Sequence, residues 1–143
     1  MTVGYSGTPL QKKLGIKPGM SIALLNAPPN IDTILGEPPE GVTTGRRLTG
    51  HRDLVLIFIT RQADLASRLP ALTSAIAPDG MIWVAWPKRA SKIDTDMTEN
   101  VIRDIVLPGS GLVDVKVCAI DHVWSGLKLV IRKTARRASE SRR

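Results

Sequence analysis

Cysteine is all but missing from this 143-residue chain. Cys118 stands alone, so no internal disulfide can form. Histidine is represented only by His51 and His122, and with one thiol beside them the sequence offers no ligand set of the zinc type. No metal and no cofactor are expected. Long apolar runs are absent too. The longest, Leu54 to Ile59, falls far short of the roughly 18 residues a membrane helix needs. The opening MTVGYSGTPLQKK has no continuous apolar segment, so no signal peptide is read there and the cytoplasm is the default location. Aromatics amount to only 3% of the chain, yet Trp83 and Trp86, two of its three tryptophans, fall in one short stretch.

What is present is ordinary for a soluble globular protein: 43% apolar residues and 23% charged ones, in a length that suits one domain with a real core. The net charge of +7 suggests nucleic acid until it is divided. Residues 132–143 hold six Lys/Arg against Glu140, a net +5, whereas residues 1–131 hold 14 Lys/Arg against 12 acids, a net +2. The basicity therefore belongs to a terminal tail, expected to be too polar to pack, and the body shows little sign of a basic face. The expected organisation is one domain over 1–131 and a basic disordered tail over 132–143.

Along the body, Thr8-Pro9 to Gly15 predicts a short helix with Thr8 as its cap, Pro9 in its first turn and Gly15 as its stop. Lys17-Pro18-Gly19 predicts a tight turn, and Ile22–Leu25 a strand ending in Asn26-Ala27-Pro28-Pro29-Asn30. Residues 28–52 are rich in Pro and Gly, with room for one or two helical turns at Ile31–Leu35 and one short strand near Val42–Leu48. Leu54–Ile59, apolar on both faces, predicts a central strand. Thr60 is the expected cap of a helix whose stripe is Leu65, Leu69, Leu72 and Ile76, bent or split at Pro70. Pro78-Asp79-Gly80 then predicts a turn into the strand Met81–Trp86, which completes a parallel βαβ unit. Asp96-Met97-Thr98-Glu99 has capping-box spacing before an apolar helix stripe. Residues 112–120 and 127–131 predict an antiparallel hairpin.

This order resembles the second half of class I S-adenosylmethionine-dependent methyltransferases. PDGMIWVAWPK looks like their proline-glycine segment and following strand, and the hairpin looks like their reversed last strand. The resemblance implies an α/β, Rossmann-like three-layer domain with a mostly parallel sheet. The chain departs from those enzymes where they carry a Gly-x-Gly loop after the first strand and an acidic residue ending the second. Here Asn26-Ala27-Pro28-Pro29-Asn30 follows the first strand, and proline has no backbone N–H to give a ligand. Over about residues 4–131 the words GYSGTPLQKKLGIKPG, WVAWPKRAS, TDMTENVIRD and LVDVKVCAIDHVWSGLKLV also resemble a bacterial, mainly actinobacterial, domain family of unknown function, which implies no activity or catalytic residue.

In an α/β sheet, ligands sit at the carboxyl ends of strands. If residues 112–120 run parallel to 81–86, one rim collects Asn26, Thr60, Lys88, Ser91, Thr95, Trp124 and Ser125, with the nearby helix N-terminus and Arg89 and Lys92 favouring an anion. Trp83 reads as core, Trp86 at the border of the loop as either core or binding platform, and Cys118 as a small hydrophobe. No catalytic residue stands out. The leading expectation is a non-catalytic ligand- or protein-binding module on a reduced methyltransferase-like scaffold. One alternative is an enzyme acting on a small anionic substrate at the Lys88/Ser125 rim. Another is a nucleic-acid-associated protein that uses Arg132, Lys133, Arg136 and Arg137 of the tail.

Overall fold

A computed structural model describes residues 9–48 and 51–132. The sheet is mixed and six-stranded, comprising β1 (Ser21–Leu25), β2 (Thr43–Gly45), β3 (Arg52–Phe58), β4 (Ile76–Pro87), β5 (Leu112–Ala119) and β6 (Trp124–Ile131), in the order β2-β1-β3-β4-β6-β5. The first four are parallel, and β6 runs antiparallel to both β4 and β5. The α/β, Rossmann-like expectation holds, including the reversed C-terminal hairpin strand. Among the described residues, no helix is long and apolar enough to cross a membrane.

Helices cover both faces. α3 (Gln62–Ala75) and α4 (Glu99–Val106) bury Leu65, Leu72, Ile102 and Val106 against Val55, Ile57, Val84, Trp86 and Leu127 on one side. α1 (Leu10–Leu14) and α2 (Ile31–Leu35) bury Leu14 and Ile31 against Leu54, Leu56, Phe58 and Trp83 on the other. Strand alternation explains the division, because Trp83 and Trp86 lie an odd number of residues apart and face opposite layers. β3 sits in the middle, buried from Leu54 to Phe58 as an all-apolar strand must be. Trp83 is completely buried, and its indole Nε1–H donates to the Leu14 carbonyl at 2.8 Å, which ties α1 to the sheet.

Several local expectations are corrected. Pro9 occupies the N-cap of α1 rather than its first turn, while the cap expected of Thr8 lies outside the described residues. Gly15 does end that helix, at φ 87°. Pro70 does not split α3, which runs unbroken past it. Pro70 and Ala66, whose carbonyl loses its partner, are both exposed, so water can satisfy that carbonyl. Ile76, read as the end of the α3 stripe, opens β4 instead.

The Pro78-Asp79-Gly80 turn is a bulge inside that strand. Arg52 pairs with Ile76 and Leu54 with Met81, so Ala77–Gly80 carry the surplus length. Gly80 is required there, since a Cβ would lie 3.0 Å from the carbonyl oxygens of both Ala77 and Arg52. The broken segment yields one very short strand, β2, which ends at Gly45 and is followed by Arg46 and Arg47, not by an acid.

Candidate functional site

Three parallel strands deliver their carboxyl ends side by side: β1 to Asn26, β3 to Thr60 and β4 to Lys88. The start of β6 joins the same edge, with Pro87 opposite Trp124 and Trp86 opposite Ser125. Lys88 and Ser125 thus share one edge of the sheet. The candidate rim nevertheless divides into three groups.

The first group is the hairpin junction. The Lys88 N–H donates to the Val123 carbonyl at 2.7 Å, and its ammonium Nζ donates to the Asp121 carbonyl at 2.6 Å. The Asp121 carboxylate receives the N–H groups of Val123 and Trp124 at 2.8 and 2.7 Å, which fixes the turn. Trp124 meets Phe58 edge to face with ring centroids 4.9 Å apart, on the α1/α2 side. Ser125, its neighbour in the strand, pairs with Trp86 and belongs to the opposite face. The two therefore cannot line one pocket. Ser91 closes its own turn, its hydroxyl donating to the Lys88 carbonyl at 2.7 Å. Lys88 consequently acts as a clamp on the hairpin. Lys88→Met is expected to lower stability by about 1–2 kcal/mol, the cost of leaving a half-buried carbonyl without its charged donor. Urea denaturation checks this, and a change under about 0.5 kcal/mol would make Lys88 an ordinary surface residue.

The second group is a strap, residues 92–98, laid over the end of β3. The Thr95 hydroxyl and the Asp96 N–H both donate to the Thr60 carbonyl, at 2.6 and 3.3 Å. The Asp96 carboxylate accepts from the Gln62 N–H at 2.8 Å, and the Gln62 side chain returns a bond to the Asp96 carbonyl at 2.8 Å. Met97, 3% exposed, anchors the strap in the core. Arg61 pairs with Asp94 on its outer surface, a contact that raises the arginine's pKa.

Asp96 therefore caps α3, a helix 20 residues or more earlier in the chain, and not α4 as its local spacing suggests. α4 begins one turn element later, with the Thr98 hydroxyl accepting from the Val101 N–H at 3.1 Å. Glu99 reaches forward to Arg103 instead of back to Asp96. Thr60 does not cap α3, whose N-cap position is Arg61 with no side-chain cap of its own. Because Asp96 and Thr98 are both good cap residues, spacing alone left the register of this segment open. Gln62 and Asp121, which do much of the holding, carry no pattern that would have marked them.

The third group is Asn26, in left-handed conformation at φ 54°. Its amide reaches Asp64 of α3 at 3.4 Å, across the gap between β1 and β3. Strand order reverses at that gap, which makes it the switch point where open α/β sheets bind ligands. Ala27-Pro28-Pro29 follows, and the Pro28 carbonyl accepts from Ile31 as the chain turns into α2.

Solved structures share this fold. A protein from Thermoplasma acidophilum assigned as a methyltransferase superposes with a TM-score of 0.56 at 11% identity, over 88% of this chain and 75% of its own. A SAM-dependent methyltransferase from Aquifex aeolicus gives 0.57 at 13%, over 85% and 88%. The fold is that of the class I S-adenosylmethionine-dependent methyltransferases. Magnesium protoporphyrin IX methyltransferase from Synechocystis PCC 6803, solved with bound SAM, matches at 0.52 and 11% identity, over 85% of this chain and 74% of that one. No protein-family model and no curated protein matches the sequence. At such identities the likeness is one of scaffold.

Of the tail candidates, Arg132 is exposed and its N–H donates to the Gly111 carbonyl at 2.7 Å. Lys133, Arg136 and Arg137 lie outside the described residues.

Proposed function

We propose that the chain is a non-catalytic binding module built on a methyltransferase-like scaffold. One observation carries this reading. The Asp96 carboxylate already occupies the N-terminus of α3, at the carboxyl edge where a ligand anion would be received. The switch point beside it is spanned by Asn26 and Asp64, and Pro28 and Pro29 have no N–H to offer. The residues present do not fit S-adenosylmethionine. An enzyme at the Lys88/Ser125 rim has less support, because the Lys88 ammonium is held by a backbone carbonyl and Ser125 turns toward Trp86.

Isothermal calorimetry tests the reading. No S-adenosylmethionine binding is expected, and a Kd of about 100 μM or tighter, about −5.5 kcal/mol, would overturn it. Native mass spectrometry of protein purified from its own host addresses the other half. A copurified protein or small anion would name the partner.

A further inference from the structure

The amino edge of the sheet, away from the rim described above, carries a groove of its own. Three segments wall it: α1, the turn from Gly15 to Pro18 that leads into β1, and the loop at Pro39. Its volume is about 440 Å³, within the span of roughly 300–1,000 Å³ typical of small-molecule sites. The walls are mostly apolar, formed by Pro9, Pro18 and Pro39 and by the buried Ile16. Proline has no backbone N–H, so these walls offer a ligand few donors. The charged residues that line the groove are Lys12 and Lys17, and neither ammonium enters an ion pair among the described residues. Glu37 and Glu40 flank Pro39 in the chain, yet neither lines the groove.

Two clamps hold the walls apart. The Gln11 side-chain amide donates to the carbonyls of Leu35 and Glu37 at 2.7 and 2.5 Å, which fixes α1 to the loop after α2. The Gly19 N–H donates to the Glu40 carbonyl at 3.0 Å, and a Cβ on Gly41 would lie 3.4 Å from the Gly19 backbone. That contact fixes the turn to the Pro39 loop. Within the turn, the Ile16 N–H returns to the Gln11 carbonyl at 2.9 Å. A groove built in this way needs little ordering when it is filled, which keeps the entropic cost of binding low.

The lining also selects the occupant. Lys12 and Lys17 are exposed, so they favour an anionic head that stays at the wet mouth. A bare inorganic ion would leave the apolar walls in water, and a long polyanion would meet only two cations. We infer that the groove binds a small organic carboxylate, with its head on Lys12 and Lys17 and an aromatic or branched aliphatic body on Pro9, Ile16, Pro18 and Pro39. This goes beyond the reading of the carboxyl edge and does not depend on it, since the two sites lie at opposite ends of the strands and share no residue.

The test is titration of the isotope-labelled, full-length protein with hydrocinnamate and with isovalerate, followed through its amide NMR shifts. At least one acid should give saturable shifts centred on Gln11, Lys12 and the Gly15–Lys17 amides, with a Kd of about 1–5 mM, the range for so small a fragment. Hydrocinnamamide, which keeps the body and lacks the charge, should bind about tenfold more weakly. Acetate, which keeps the charge and lacks the body, should leave these amides in place at the same concentration. Lys12→Gln/Lys17→Gln should weaken the acid about tenfold, the sum of two exposed ion contacts, and Lys12→Arg/Lys17→Arg should restore it. The inference is overturned if neither acid gives saturable shifts, or if the shifts centre on Asn26 and Thr60 instead. It also fails if acetate or the neutral amide matches the acids, or if the glutamine pair binds as well as the parent. Either failure leaves the S-adenosylmethionine result standing, because that calorimetry reads the other edge.

Discussion

Replacing Trp83 with alanine is expected to remove about 3–5 kcal/mol of stability, as truncation of a large buried aromatic does. Domains of this kind hold only about 5–15 kcal/mol in total, so much of the population should unfold under mild denaturant. Two losses combine at this position. The ring is completely buried between α1 and the centre of the sheet, and Gly126 is packed so tightly on it that a Cβ there would lie 3.1 Å from the ring. The indole N–H also satisfies the Leu14 carbonyl at the last turn of α1. Trp83→Phe separates the two. It keeps most of the apolar contact and leaves that carbonyl unpaired in a dry environment, at a cost of about 1–3 kcal/mol. Urea denaturation followed by circular dichroism measures both variants. If phenylalanine proves as damaging as alanine, the hydrogen bond outweighs the packing. If alanine costs less than about 2 kcal/mol, α1 is not held to the sheet through this residue.

Trp83 also marks how far the sequence could be read. Its place in an apolar strand was enough to read it as core, while Trp86, at the border of the loop, stayed open between core and binding platform until the fold buried it. The partner of Trp83 was not legible, because Leu14 lies 69 residues away and offers only a backbone carbonyl. The elements with strong periodicity emerged nearly intact: β3 as a run apolar on both faces, the β3–α3–β4 unit, and the terminal hairpin. Errors gathered where one residue type supports two local structures. Pro78-Asp79-Gly80 is good turn chemistry, and equally good bulge chemistry when β3 keeps pairing on both sides of it. Asp96 has the spacing of a cap for the helix that follows, and the tertiary fold uses it to cap the helix that came before.

Charge was the least legible feature. A body of net +2 looks neutral when its residues are counted. Folding then places acids and arginines together around α3, α4 and the strap, and sets Lys116 opposite Lys128 on the other face. Lys116 and Lys128 are 12 positions apart in the chain, and only the hairpin register brings them together. Net charge speaks to the whole molecule, whereas the charge of one face depends on which residues share it.

The strap over the carboxyl edge gives the second large effect. Met97→Ala should cost about 2–5 kcal/mol, because Met97 is buried at 3% exposure and its removal leaves a cavity in the core that it shares with Trp86, Ile102 and Leu65. Asp96→Ala should cost less, about 0.5–2 kcal/mol, the range for a lost helix cap. Adjacent in sequence and serving one segment, the two should combine non-additively. Hydrogen exchange supplies the local readout. The Gln62 amide, bonded to the Asp96 carboxylate, should exchange faster in the Asp96→Ala protein while the amides of β3 stay protected. Unchanged protection of Gln62 would mean that the carboxylate does not hold the end of α3. The double variant also separates two reasons for a closed site. If the strap alone keeps ligands out, loosening it should let S-adenosylmethionine bind. If the loop after β1 is at fault, no affinity should appear, because Pro28 and Pro29 still lack the N–H groups a ligand would need. The second outcome is expected, since releasing the strap restores space at the end of α3 and adds no donor beside β1.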